Sequence, residues 1–414
     1  MKQLLQDLSN GATTIEEAPA PSSKPGSLLI NTTKNLVSAG TERMLVNFGR
    51  SSYLEKAKQQ PDKVKMVLGK VRTDGVMATA DAIKSKLNQP LPLGYCNVGV
   101  VGEVGDGVEG FRPGDRVVSN GPHADVVRVV NNLCAKIPDD VSDETAAFTV
   151  MASIGLQGIR LAKPTIGENF VVTGVGLVGL LIVQMLRANG CRVLAIDYDS
   201  DRLEIAKSYG AETCNPGEGA DPVSAGMAFS RNKGVDGAII TATTKSSEPI
   251  SQAANMLRKC GRIIMVGVTG MNLDRSEFYQ KEISFQVSCA YGFGRGDKAY
   301  EEEGKDYPYG LVRWTAQRNF EAVLEMMSSG SIDVSQLVSH RCKFDDAPAA
   351  YDKLVEDSSI IGIILEHDSE VIRRHVKSVT LREALFFDST QPVVGFVGAG
   401  NYASRILMPA FKEA

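Results

Sequence analysis

Phe170-Val171-Val172-Thr173-Gly174-Val175-Gly176-Leu177-Val178-Gly179 is the stretch that decides the fold. Phe170 to Thr173 is apolar and β-prone, and predicts a short buried strand. Leu177 to Ala188 is apolar on all but a few positions, and predicts a buried helix. The glycines between them sit where such a junction needs them. The first permits a tight turn, the second lets a phosphate approach the backbone, and the third lets helix pack on strand. The helix N-terminus then presents free N–H groups and the positive end of its dipole to an anion. The next predicted strand, Arg192 to Ile196, runs into Asp197, 23 positions after Gly174 and close to the ~20 expected for an acid that binds an adenosine ribose. A carboxylate there accepts the ribose hydroxyls and repels an added phosphate, which favours NAD. Arg202, five residues on, reaches the same ribose and leaves NADP open.

Outward from this stretch the pattern stays regular. Predicted helices begin at Asp143, behind a Ser142 cap, and a second runs to about Ala162. After the glycine turn come a helix from Asp201 to Tyr209 and strands at Gly237 to Thr241 and Arg262 to Val266. Strands alternating with helices imply a parallel sheet covered on both faces, a doubly wound Rossmann domain over 141–290. The ends of its later strands add Thr241, Val266 and Gly267 to Gly174, Val175, Gly176, Leu177, Val178, Gly179, Asp197 and Arg202 as candidate cofactor contacts. Residues 1–140 read differently. Short apolar runs (Ser27 to Asn31, Val98 to Val104, Arg116 to Val118, Val126 to Val130) are separated by turns such as Pro113-Gly114-Asp115, with one helical insert at about Tyr53 to Leu87. After 290 the chain is irregular, then predicts a helix at Asn319 to Met327 and a strand at Ile361 to Leu365. Residues 367–391 read as a mixed-charge connector. Val393 to Val397 reads as a strand entering a second glycine turn, and Ala414 follows Ala403 by eleven residues. A Rossmann domain does not fit in that space, so 392–414 is expected to be the first part of one.

The totals bound the class. A chain of 414 residues with 43% hydrophobic and 23% charged residues has material for more than one large core. A net charge of −4 without a basic run offers no footprint for nucleic acid. Seven dispersed cysteines without a Cys-x-x-Cys pair read as reduced thiols. The polar start lacks a signal peptide, and no run approaches the ~20 apolar residues of a membrane span. The expectation is a cytoplasmic protein with a small-molecule substrate and no membrane or nucleic-acid partner.

With these residues in hand, the first 366 or so resemble the medium-chain dehydrogenase/reductase superfamily, the alcohol dehydrogenase-like proteins. The resemblance rests on Gly99-Val100-Val101-Gly102-Glu103-Val104-Gly105, on Pro113-Gly114-Asp115-Arg116-Val117, and on the glycine turn with Asp197 and Arg202. It implies a GroES-like β-rich catalytic domain over 1–140, the Rossmann domain, a return to the catalytic domain over 291–366, and a homodimer through the sheet edge near Val287. More narrowly, Leu36-Val37-Ser38-Ala39-Gly40-Thr41-Glu42-Arg43, Pro92-Leu93-Gly94-Tyr95-Cys96-Asn97-Val98-Gly99 and Tyr307-Pro308-Tyr309-Gly310-Leu311-Val312-Arg313-Trp314 are similar to a bi-domain oxidoreductase subgroup found among bacterial surface-polysaccharide genes. That subgroup continues into a Gfo/Idh/MocA-like domain, which Gly398-Ala399-Gly400-Asn401-Tyr402-Ala403 resembles.

Zinc enzymes of this family hold the metal with a Cys, a His and a further Cys or acid. Here those positions read Ala39 and, within Gly94-Tyr95-Cys96, Tyr95; no Cys or His lies within 146–158, and the structural zinc lobe is missing. His123, His340, His367 and His375 show no ligand spacing, although Cys96 and Glu42 leave a relocated site open. No zinc is expected. Something else must then stabilise the substrate oxygen and move a proton. Thr41 stands where the family has the hydroxyl that hands the proton on, Tyr95 stands in the place of the zinc-binding His, and Glu42 follows Thr41. These three are the catalytic candidates. A Tyr95 that merely fills the vacated space, and a Thr41 that merely bonds the turn, remain the plain alternatives. Arg295, Arg313 and Trp314, with Arg318 nearby, are candidates for holding a phosphorylated or nucleotide-linked sugar, or are simple surface residues. The expected activity is zinc-independent, NAD(H)-dependent hydride transfer at a carbonyl or alcohol carbon of a sugar or sugar nucleotide. The alternatives are an NADPH-dependent quinone or enone reductase, and a dinucleotide-binding module without catalysis.

Overall fold

The computed structural model describes residues 1–52, 55–56, 89–368, 378–380, 393–398, 400 and 402–413. The insert expected at Tyr53 to Leu87 therefore falls almost wholly outside the described residues, as does most of the 367–391 connector. Residues to Lys377 form one compact unit and those from Ser378 another.

The first unit begins with a hairpin, β1 (Lys2–Gln6) and β2 (Thr13–Glu17), which sequence reading missed because only its Leu4, Leu5 and Ile15 are apolar. Strand β3 (Ser27–Ser38) then runs twelve residues, well past the expected Asn31. Its polar centre stays in the sheet because the polar groups are satisfied: Thr32 Oγ1 donates to Ala124 O at 2.5 Å, and Asn35 Nδ2 donates to Cys96 O at 3.1 Å. A buried polar group that is hydrogen-bonded costs little.

Helix α1 (Ala39–Arg50) follows directly. The Glu42 carboxylate holds its start by accepting the Ser38 N–H at 2.8 Å. After β4 (Leu91–Pro92), strands β5 (Asn97–Val104), β6 (Arg116–Ser119), β7 (Val126–Val130) and β8 (Cys134–Lys136) build most of an antiparallel sheet on β3.

Two helices lead out of this sheet. Ser142 Oγ accepts the Thr145 N–H at 3.1 Å and caps α2 (Asp143–Ala146), as expected. The longer α3 (Thr149–Ala162) crosses to the second sheet. That sheet is parallel. It consists of β9 (Asn169–Thr173), β10 (Arg192–Ile196), β11 (Glu212–Cys214), β12 (Val235–Ile240), β13 (Leu257–Met265) and β14 (Ser284–Val287), in the order β11-β10-β9-β12-β13-β14. Helices α4 (Leu177–Ala188), α5 (Ser200–Ser208), α6 (Pro222–Phe229) and α7 (Glu248–Met256) alternate with the strands. Val171, Val172, Ile239 and Ile240 are fully buried, the signature of a sheet covered on both faces. The order reverses between β9 and β12, and in such sheets the crevice beyond the C-terminal ends at the reversal is where ligands bind.

The chain then returns. Helix α8 (Ala316–Ser328) packs on α3, β15 (His340–Lys343) and β16 (Gly362–Glu366) extend the first sheet beside β3, and α9 (Ala347–Glu356) packs on α1. One hydrophobic core joins the two sheets: Leu36, Cys96 and Val98 share it with Phe170, Val172 and Ile182. A doubly wound domain and a β-rich domain thus form one unit, matching the fold class expected.

In the second unit the expected strand at Val393 to Val397 is not formed. A strand exists by pairing with a neighbour, and among the described residues no strand pairs with this segment; Val397 is fully exposed. A helical segment runs over Ala403–Leu407 and Met408–Glu413.

Candidate active site

Each glycine of the turn from β9 to α4 has its own reason. Gly174 has φ +90°, and a Cβ on it would lie 2.6 Å from Ala242 N. A Cβ on Gly179 would lie 2.1 Å from Gly174 O, so helix and strand touch there through bare backbone. Around Gly176 there is open space, with Arg202 Nη1 at 4.0 Å as its single near neighbour among the described residues. These are the three requirements of a turn that lets a diphosphate lie on it. Asp197 ends β10 and folds onto the turn: one carboxylate oxygen accepts the Val175 N–H at 2.7 Å, the other the Asp199 N–H at 3.1 Å. Thr241 closes the crevice from β12 by donating from Oγ1 to Gly174 O. Gly267 packs so tightly on Thr241 and Ala242 that a Cβ would meet Ala242 O at 2.3 Å, and Val266 precedes it, half-buried. All the candidate cofactor residues therefore gather at the switch between β9 and β12, with Leu177 and Val178 in the first turn of α4.

A second group lies where β3 passes into α1. The Tyr95 hydroxyl is 2.6 Å from Ser38 Oγ, and the Thr41 side chain also lies within hydrogen-bonding reach of the phenol. Tyr95 is half-buried and Thr41 exposed, so the pair has a route to solvent. Burial pushes the phenol well above the ordinary tyrosine value; Cys96 and Glu42 push the same way, and the bonds to Ser38 and Thr41 offset part of it. Tyr95 is a neutral hydrogen-bond donor here, so a lowered pKa is not part of its chemistry. Glu42 does not point at Thr41. It is wholly buried and fixed by the Ser38 N–H, the Tyr351 hydroxyl and His123 Nε2 at 3.1 Å. Burial also pushes the Cys96 thiol and the Tyr351 phenol well above their ordinary values.

Residues 178–305 match the family model described as zinc-binding dehydrogenase. The chain is 27% identical over 274 residues to a D-guloside 3-dehydrogenase of Escherichia coli (strain K12), covering 64% of this chain and 73% of that one. It is 24% identical over 362 residues to a (R,R)-butanediol dehydrogenase of Bacillus subtilis (strain 168), covering 76% and 96%. Among solved structures it resembles a short chain alcohol dehydrogenase of Escherichia coli CFT073 complexed with NADH, at 19% identity and TM-score 0.66, covering 88% of this chain and 99% of that one. The chain is an oxidoreductase, and it shares the fold of alcohol dehydrogenase-like structures.

A zinc-type dehydrogenase needs a set of donors around its metal. Among the described residues of this dehydrogenase-like chain, no group of three His, Cys, Asp or Glu side chains is gathered in a way that could hold one. The nearest donors are engaged otherwise: the Glu42 carboxylate accepts from three groups, and the Cys96 thiol is held protonated by burial. The residues present do not fit a zinc ion at this place.

The group read as a substrate holder is divided between two contacts, Trp314 and Arg313 with Arg160, and Arg295 with Glu301. Trp314 is sandwiched between Arg160, whose guanidinium carbon is 3.2 Å from the ring centre, and Arg313 at 3.8 Å. Arg295 pairs with Glu301 at 3.0 Å on the loop after β14. Sequence reading missed Ser38, His123 and Tyr351. Ser38 was visible as the residue before Ala39, whereas nothing in the chain order links His123 or Tyr351 to it.

Proposed function

We propose that this chain is a nicotinamide-dependent, zinc-independent dehydrogenase that uses NAD(H) and acts on a secondary alcohol or ketone of a sugar or polyol. The observation that carries this is the coexistence of a complete diphosphate turn with a hydroxyl pair, Ser38–Tyr95, at the place of the missing ligands. The named relatives, a guloside and a butanediol dehydrogenase, support the substrate class. The NADH-bound neighbour supports the cofactor.

The glycine turn fits a dinucleotide: Gly174, Gly176 and Gly179 give the diphosphate its seat, Asp197 takes the adenosine ribose, and Thr241, Val266 and Gly267 line the way to the nicotinamide end. When bound, the nicotinamide supplies or accepts the hydride. The chain's own residues handle the oxygen and the proton. In the reducing direction Tyr95 donates a hydrogen bond to the substrate carbonyl and gives its proton to the oxygen as the alkoxide forms. An alkoxide is more basic than even a strongly perturbed phenolate, so the transfer runs downhill. Ser38 Oγ steadies the phenolate, and Thr41, facing solvent, returns the proton. Glu42 keeps Ser38 in place.

Calorimetric titration with NADH and then NADPH tests the cofactor half. NADH is expected to bind at least ~10-fold tighter, about 1.4 kcal/mol; tighter NADPH overturns the role of Asp197. Oxidation of a panel of sugar glycosides and polyols with NAD, in metal-free buffer, tests the rest. Activity that appears only on adding zinc overturns the metal-free mechanism.

A further inference from the structure

The cluster beneath Tyr95 carries one formal charge. Glu42 is wholly buried, and its carboxylate faces three donors: the Ser38 N–H, the Tyr351 hydroxyl and Nε2 of His123. Three donors on two oxygens suit an ionised carboxylate, which accepts at every lone pair and has no proton to place. His123 does not cancel the charge. Its Nε2 lies 3.1 Å from Glu42, and its Nδ1 is buried with no hydrogen-bond partner among the described residues. A bare lone pair is tolerated there, whereas a protonated Nδ1 would be a buried donor left unmet. The hydrogen-bond arrangement therefore assigns a neutral imidazole with its proton on Nε2.

The other neighbours are neutral as well. Burial raises the Cys96 thiol and the Tyr351 and Tyr95 phenols, and the charge of Glu42 pushes each the same way. Arg43, next in the chain, is turned to the end of α9, where it donates to Leu354 O at 2.7 Å and to Asp357 O at 2.8 Å. Among the described residues His123 is the one ion-pair contact of Glu42. The anion thus stands without a countercharge, a single serine away from the proposed proton donor: Ser38 bonds Glu42 through its N–H and Tyr95 through its Oγ at 2.6 Å.

A buried charge without a counterion acts strongly on any cation the site receives. Oxidised nicotinamide carries a positive ring charge, and the reduced ring carries none. We propose that Glu42 is the electrostatic element that distinguishes the oxidised from the reduced cofactor, its anion favouring the cationic ring and leaving the neutral ring unaffected. The proposal rests on the dinucleotide reading above and deepens it. In the reducing direction positive charge grows on the ring as the hydride leaves, so the same anion stabilises the transition state without touching substrate. His123 and Tyr351 are positioning residues that keep Glu42 ionised and in place.

The test is calorimetric titration of the full chain, Glu42→Gln and Glu42→Asp with NAD⁺ and, separately, with NADH. Glu42→Gln removes the charge at nearly constant size. It is expected to weaken NAD⁺ by ~10-fold, as loss of a unit charge acting through several ångströms of protein does, and to leave NADH within about twofold of native. Glu42→Asp keeps the charge and should keep the native ratio of the two affinities. Equal weakening of both forms by Glu42→Gln makes Glu42 a structural residue only and overturns the proposal, as does no change in either; in both cases the dinucleotide reading stands. A native chain that binds neither form removes the dinucleotide reading and the proposal with it. If thermal unfolding shows Glu42→Gln to be misfolded, the native chain decides alone. NAD⁺ is then expected to bind at least ~10-fold tighter than ADP-ribose, which lacks the ring; NAD⁺ binding no tighter than ADP-ribose overturns the proposal.

Discussion

Tyr95→Phe deletes one oxygen and leaves the ring in place. The ring lies against the main core, so packing is preserved. What is lost is the 2.6 Å bond to Ser38 and the donor offered to the substrate oxygen. The first loss costs stability by about 0.5–1.5 kcal/mol, the net worth of one hydrogen bond. The second removes a general acid, worth roughly 10²–10⁴ in rate. The expected result is kcat lower by ~10²-fold or more, about 2.7 kcal/mol of transition-state stabilisation, with NADH affinity within about twofold of native because the diphosphate seat is untouched. Ser38→Ala acts through Tyr95, so it should cost less, and in the Tyr95→Phe background it should cost almost nothing more. The assay is steady-state NADH turnover of the four chains on one polyol or ketone, paired with calorimetry. If Tyr95→Phe turns over within about threefold of native, the hydroxyl is not the proton donor and Tyr95 is a space-filling residue. If the two substitutions are additive, Ser38 does not work through Tyr95.

Gly179→Ala drives a Cβ to 2.1 Å from Gly174 O; helix and strand must separate, at a cost of roughly 1–3 kcal/mol in urea unfolding, and NADH should bind at least ~10-fold more weakly. A native-like variant in both measurements refutes the close-packing role of this glycine. Glu42→Leu leaves His123 Nε2 and the Tyr351 hydroxyl buried without their acceptor, and should destabilise the chain by about 3–5 kcal/mol; a loss under about 1 kcal/mol means the carboxylate is not their anchor. Stability should also vary with pH on both sides. Burial lowers the pKa of His367, so its contribution is present above the ordinary 6.5 and lost as pH falls below it. Burial raises Cys96, Tyr95 and Tyr351, so stability is held below the ordinary values of 9.0 and 10.0 and lost above them, by about 1.4 kcal/mol per pH unit for each group. Urea midpoints that stay flat from pH 6 to about 11 contradict this assignment.

The cofactor half of the molecule was legible because its chemistry is local. Strand, glycine turn, helix, strand and acid follow one another within 28 residues from Phe170 to Asp197, and backbone sterics alone dictate where the glycines go. The helix over Leu177–Ala188 and the strand over Arg192–Ile196 came out with the same bounds in sequence and structure. The shorter elements at Glu212–Cys214 and Ser284–Val287 were not read, since three or four residues carry no period. Helix α1 was also hidden. Ala39-Gly40-Thr41 looks like a turn until the Glu42 carboxylate is seen to bond the Ser38 N–H.

The catalytic half was only partly legible, for a physical reason that the Glu42 cluster makes plain. Tyr95 and Thr41 could be named by position, but what sets their behaviour is a buried carboxylate whose partners lie 81 and 309 residues away along the chain. Burying such a charge in a hydrophobic core is unfavourable unless every lone pair is met, so a carboxylate kept there needs two donors brought in from other elements. His123 arrives because Gly94, with φ +87°, leaves no side chain in its way; a Cβ there would strike the imidazole at 2.3 Å. Tyr351 arrives because α9 packs across α1 when β16 closes the sheet beside β3. Neither event is encoded near Glu42. A site of this kind becomes visible only when the sheet closes, and it explains why Tyr95 stays a neutral acid: burial, with Cys96 and Glu42 beside it, raises the phenol well above its ordinary value.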